Sequence, residues 1–189
     1  MKLLLAATVA ILGAVTLQGC VVAHATGQAV VADATPDNHL HIVVVPAKWE
    51  DDGKRNGARV EADRHLATLF PALATRLPQD FRLNGVEADA TLLESADSPV
   101  PSPIGVRTLV VRPAQAGFIN YSGATWLDLS VTLNDAKRGA LWTGKIRMST
   151  GSPGVNYDAS AVDHAAVPLL EQLRDAKMID ISWRRPVTP

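Results

Sequence analysis

The chain has a single cysteine among its 189 residues. That excludes an internal disulfide and a cysteine-based zinc cluster. Charge of one sign is missing too: 18 Lys and Arg stand against 19 Asp and Glu. There is therefore no basic stripe for nucleic acid and no acidic, solvating tail. Aromatic residues make up only 5% of the chain, so each Trp draws notice as a core residue or a contact. After residue 20 no apolar run is long enough to cross a bilayer, and no internal repeat or glycine-rich phosphate loop occurs.

What is present begins at the first residue. Lys2 supplies a short positive start, and Leu3 to Leu17 is uncharged, broken only by Thr8 and Thr16. As a helix this run spans about 22 Å, short of the roughly 30 Å hydrocarbon core. It has the length of a secretory apolar segment. It ends in Leu17-Gln18-Gly19-Cys20, which places the lone cysteine behind a small residue and a leucine. These four residues resemble the lipobox of bacterial lipoprotein precursors. The resemblance implies a signal peptide over 1–19 and cleavage before Cys20. It also implies a diacylglycerol thioether on the sulfur and an acylated amine, with Leu17, Gln18, Gly19 and Cys20 recognised by the peptidase. Val21 and Val22 follow, with no Asp in the second mature position, which resembles cargo for the outer rather than the inner membrane. The covalent lipid is the only prosthetic group expected, and no cofactor or metal is called for.

Cleavage leaves about 170 residues, enough for one domain. Residues 20–38 are rich in Ala, Val, Thr and Gly and read as the lipidated cysteine with a flexible tether, reaching about 60 Å at full extension. A single periplasmic domain is expected over 39–183, and a tail over 184–189.

Within it, His39 to Pro46 is apolar on both faces and predicts a central strand. A helix is predicted from Ala58 to Leu77, where Ala62, Leu66, Leu69, Phe70, Leu73 and Leu77 form one stripe. Pro71 should kink it and Pro78 should close it. Further strands are expected at Val86–Leu93 and Val106–Arg112. From Thr125 to Leu133, Leu127, Leu129, Val131 and Leu133 alternate with Trp126, Asp128, Ser130 and Thr132, the pattern of a half-buried strand. A turn at Asn134–Gly139 leads to a return strand, Ala140–Ser149, with Trp142, Ile146 and Met148 inward. A second helix is expected from a Ser160 cap, and a short last strand at Ile179–Trp183. The fold class is α/β (α+β): a mixed sheet of about 4–6 strands with two main helices, including an antiparallel hairpin near 125–149.

The hairpin residues Leu133, Asp135, Gly139, Leu141 and Trp142 resemble a pattern in curli-secretion-type lipoproteins and in lipoprotein activators of penicillin-binding proteins. That resemblance implies an α/β domain in the cell envelope and carries no catalytic residue. Turn chemistry explains the same residues physically: Asp and Gly stabilise a tight turn, and Trp fills a core.

Candidate chemistry is sparse. Asp52, Lys54, Asn56, Gly57 and Asp63 fall on calcium-loop positions, but Lys54 stands where an oxygen ligand is needed. His39 and His41 share a strand face, and a zinc site would need His24, His65, His164 or Asp163 to join them. Ser152 lies in Gly-Ser-Pro-Gly rather than a nucleophile elbow. Glu50, Asp51 and Asp52 read as a solvated run. Trp49 and Trp126 are the candidate partner surface, because Trp126 points away from the apolar face of its strand. The expectation is a non-enzymatic, lipid-anchored periplasmic adaptor. Its partners would be the membrane and another envelope protein or a second copy of itself. Two alternatives stay open: an auxiliary lipoprotein holding a lipid or small ligand for a transporter, and an envelope hydrolase or metal-dependent enzyme.

Overall fold

A computed structural model describes residues 21–46, 57–119, 124–151, 155 and 157–181, with the side chains of 58–62 left out. The lipobox, Trp49, Ser152, most of the calcium-like loop and the tail lie outside these residues.

Six strands and two helices follow one another as β1 (Val21–Ala29), β2 (His39–Val44), α1 (Gly57–Leu83), β3 (Glu87–Leu92), β4 (Arg107–Phe118), β5 (Thr125–Asp135), β6 (Gly139–Thr150) and α2 (Ala159–Asp175). They form one mixed sheet in the order β1-β6-β5-β4-β2-β3. β2 runs parallel to both β3 and β4, whereas β4-β5, β5-β6 and β1-β6 are antiparallel. This is the α/β class expected, with the hairpin where the alternation placed it.

Both helices cover the same face. α1 lies over β2, β3 and β4, and α2 over β1 and β6. Leu40, Ile42, Leu109, Leu129, Leu133 and Trp142 of the sheet meet Leu69, Leu73, Phe81, Leu169 and Leu173 of the helices in one core. Trp142 is fully buried and its ring lies across Gly27 and Gly144 on the paired strands. A Cβ at Gly144 would sit 2.2 Å from that ring, so only glycine admits it. On the opposite face a smaller cluster of Val43, Val45, Leu93 and Val110 is roofed by Ala96 and Val100.

Four expectations need correction. The expected tether is a strand over Val21–Ala29, paired along its whole length with β6. Its inward residues Ala23, Ala25 and Gly27 are small because α2 and Trp142 press on them, and small residues carry little hydrophobic signal. α1 does not stop at Pro78 but runs to Leu83. Phe81, fully buried, holds the extra turn in the core, and packing outweighs the missing donor. That helix ends on Gly85 (φ +81°), with Val86 N–H donating to Phe81 O at 3.0 Å and Gly85 N–H to Arg82 O at 3.1 Å, a Schellman closure. The cap of α2 is Asp158 rather than Ser160: its Oδ1 accepts from Ser160 N at 2.9 Å and Ser160 Oγ at 2.7 Å. Finally, 179–181 is not a strand. The Asn38 side chain takes the place of a strand partner, accepting from Asp180 N at 2.8 Å and donating to Asp180 O at 2.6 Å.

The hairpin turn follows its chemistry. Asp135 Oδ1 accepts from Lys137 N at 2.8 Å and Arg138 N at 3.0 Å, and Gly139 takes φ +74°. Those two amide bonds hold the Asp135 carboxyl below its ordinary value.

Candidate functional site

Strand alternation decides which side chains the helices leave uncovered. Leu127, Leu129, Val131 and Leu133 of β5 point to the helices, so Trp126, Asp128, Ser130, Thr132 and Asn134 point away. Register then aligns neighbours: Asp128 with Arg147 of β6, Ser130 with Lys145, and Arg147 with His24 of β1. The outcome is a polar face over β1, β6 and β5, beside the part roofed by Ala96 and Val100.

Asp128 is the centre of this face. Its side chain is 0% exposed, yet it is charged and fully engaged. Arg147 Nε donates to Oδ1 at 2.7 Å, Arg147 Nη2 to Oδ2 at 2.8 Å, and Lys145 Nζ stands 3.1 Å from Oδ2. Burial pushes the Asp128 carboxyl up, but the hydrogen bonds and charges of Arg147 and Lys145 outweigh it and hold the group below its ordinary value. Asp128 in turn raises Arg147. The Arg147 guanidinium also lies over the Trp126 ring, 4.5 Å from its centroid. Gly117 of β4 lies under that ring, where a Cβ would come within 2.5 Å. Trp126 is thus half-buried between a glycine and a cation. Among the described residues no helix covers it, and what the Asp128 cluster offers a ligand is two half-exposed cations and an aromatic edge rather than a free carboxylate.

A shallow cleft adjoins the cluster, lined by Val100, Val110, Arg112, Ser130, Thr132 and Asn134. Its hydroxyl, amide and guanidinium groups suit a polar ligand.

The histidines do not converge. His39 Nε2 lies 2.7 Å from Glu87, and His41 Nδ1 lies 2.9 Å from Asp89, so each pairs with a carboxylate of β3. His65, on α1, is buried with its ring edge-on to Tyr157 at 5.5 Å, and His24 sits on the open face of β1. Asp163 on α2 pairs with Arg76 of α1 at 3.1 Å, while His164 is exposed. Among the described residues no three of His, Cys, Asp and Glu are grouped to hold a metal ion. Asp63 lies on α1; Asp52, Lys54 and Asn56 fall outside the described residues.

The strand alternation singled out Trp126 as an outward residue but did not reveal Arg147, Lys145 and Asp128 as a unit. The alternation already set Asp128 opposite the apolar residues; the missing information was the β5-β6 register that delivers the cations.

Among the described residues no helix is long and apolar enough to cross a membrane. Neither a family model nor a curated protein matches the chain. Among solved structures it is similar to two dodecamers of PelC from Paraburkholderia phytofirmans. A leucine-to-methionine variant is 13% identical, with TM-score 0.42, covering 77% of this chain and 96% of that one. A second PelC structure is 10% identical, with TM-score 0.42, covering 84% and 99%.

Proposed function

We propose that the protein is a lipid-anchored lipoprotein of the bacterial envelope that works as a binding module rather than a catalyst. The observation that carries this reading is Leu17-Gln18-Gly19-Cys20 behind an apolar segment of secretory length. Acylation of Cys20 would make attachment permanent, at about 0.8 kcal/mol per buried CH₂. Partner binding is assigned to the uncovered sheet face, with Trp126 at its margin. Two half-exposed cations beside an aromatic ring favour a partner that presents carboxylates or phosphates. Trp49 belongs to the same proposal on sequence grounds alone. The chain is assigned to the outer membrane, because Val21 and Val22 follow the cysteine.

In-cell photo-crosslinking tests the face. A crosslinker at Thr143, on the open face, should capture an envelope protein or a second copy of this chain, and capture should fall in Cys20→Ser. A crosslinker at Glu171, on the exposed side of α2, is the control. Equal capture from both positions would defeat the assignment of the face.

A further inference from the structure

We infer that the sheet end carrying Val21 is a membrane-docking rim, seated on the phospholipid surface by Val22, Phe118 and Ile119, with Trp126 and Arg147 just above them. This rests on the lipid-anchor reading of Cys20 given above.

β1 starts at Val21, and consecutive Cα atoms are about 3.8 Å apart. An acylated Cys20 therefore leaves no slack between lipid and sheet. The domain cannot stand off from the bilayer, and the end of the sheet at Val21 must meet the headgroups. Register identifies that end: Val21 pairs with Thr150, Ser149 with Trp126, and Thr125 with Phe118. It comprises the start of β1, the end of β6, the start of β5 and the end of β4.

The side chains there suit an interface. Val22, Phe118 and Ile119 are 47%, 50% and 39% exposed. Val22 lies on the open face and Phe118 on the helix side, so apolar groups emerge on both sides of the sheet end. Trp126 shares a row with Ser149 and Val22, and an amphipathic indole belongs at headgroup depth. Arg147 lies two residues further up β6, about 7 Å at strand rise. That matches the roughly 5–8 Å depth of one headgroup layer, so its half-exposed guanidinium reaches lipid phosphate. Of the other exposed apolar residues, Leu92 lies partway along the edge strand β3 and Val167 on α2, while Val30, Leu83 and Ile104 lie at the far end of the sheet. The twelve residues of β4 separate them from the rim, about 40 Å. They form an internal control.

The test uses the full-length protein extracted from membranes and reconstituted in vesicles of phosphatidylethanolamine and phosphatidylglycerol. Phe118→Cys and Ile104→Cys are each labelled with an environment-sensitive maleimide fluorophore, with Val22→Cys in reserve if Phe118→Cys does not fold. The rim predicts a blue shift and loss of most emission to shallow doxyl-lipids at position 118, and neither at 104. If Cys20 proves acylated by mass but position 118 behaves like 104, docking is wrong and the anchor stands. If the maleimide labels Cys20, anchor and rim fall together. A position 118 shielded from aqueous iodide but untouched by doxyl-lipid would mean that protein, not membrane, covers the rim, and would overturn the proposal.

Discussion

Trp142 and Trp126 lie on neighbouring strands and opposite faces of one sheet, and both rest on glycine. Trp142 faces the helices, is fully buried, and carries an Nε1 with no hydrogen-bond partner among the described residues. Trp126 faces outward, is half-buried, and is capped by the Arg147 guanidinium. The same local device thus serves two ends. On the covered face a large ring fills volume, and the cost of an unpaired N–H is accepted for the area removed from water. On the uncovered face the ring joins a charged cluster and stays available. If the proposed binding role holds, stability and binding are divided between the two sides of one sheet.

Substitutions can break that comparison in order of size. Trp142→Ala should cost about 3–5 kcal/mol, the range for emptying a large aromatic site, and denaturant melts should show it as a lower midpoint at unchanged slope. Asp128→Asn should cost about 1.5–3 kcal/mol, the scale of hydrogen bonds to charged groups, less than the core substitution because its cations can turn to water. Trp126→Ala should cost about 1 kcal/mol or less, from a cation–π contact at a half-exposed site. It should also reduce crosslinking from the open face, which Trp142→Ala in its folded fraction should not. A Trp126→Ala melt as damaging as Trp142→Ala would erase the distinction between the faces.

The smallest effect separates the faces by pH. Asp80, in the α1-α2 seam, is raised by burial and by the nearby Asp163 charge, with Arg76 opposing, and its Oδ2 has no hydrogen-bond partner among the described residues. A raised carboxyl adds stability fully present below the unfolded value near 3.9 and lost as pH rises through the folded value. Asp128 is lowered, so its contribution is present above that value and lost as pH falls through the folded one. Asp80→Asn should therefore raise the melting temperature slightly at neutral pH and not below about pH 4. Asp128→Asn should do its damage at neutral pH and converge with the parent in acid. Melts across pH 3–8 would read both signs.

Much of the covered face was legible in the sequence. Period-two alternation in 125–133 and the 3.6-residue stripe from Leu66 to Leu77 fixed which residues turn inward, because burying them is the main driving force. The open face was less so. Asp128 was visible as an outward residue, but its union with Arg147 and Lys145 depends on a cross-strand register, and that is set by a turn and a bulge between Leu133 and Asn134. β1 read as a tether because Ala23, Ala25 and Gly27 are small, and the reasons lie far away in sequence: α2 packs over the strand, and the Trp142 ring leaves no room for a side chain at Gly27. Pro78 read as a helix stop because local propensity was the only information, and Phe81 in the core overruled it. Each miss is a place where a distant contact decided a local conformation.

That correction of β1 also changes what the proposed anchor would mean, since a lipid on Cys20 would join a strand beginning at Val21 without a spacer. Top-down mass spectrometry of the protein extracted from membranes is the most direct test. The account predicts a mature N-terminus at Cys20 carrying a diacylglycerol and an amide-linked acyl chain. An N-terminus elsewhere, or an unmodified Cys20 thiol, would contradict it.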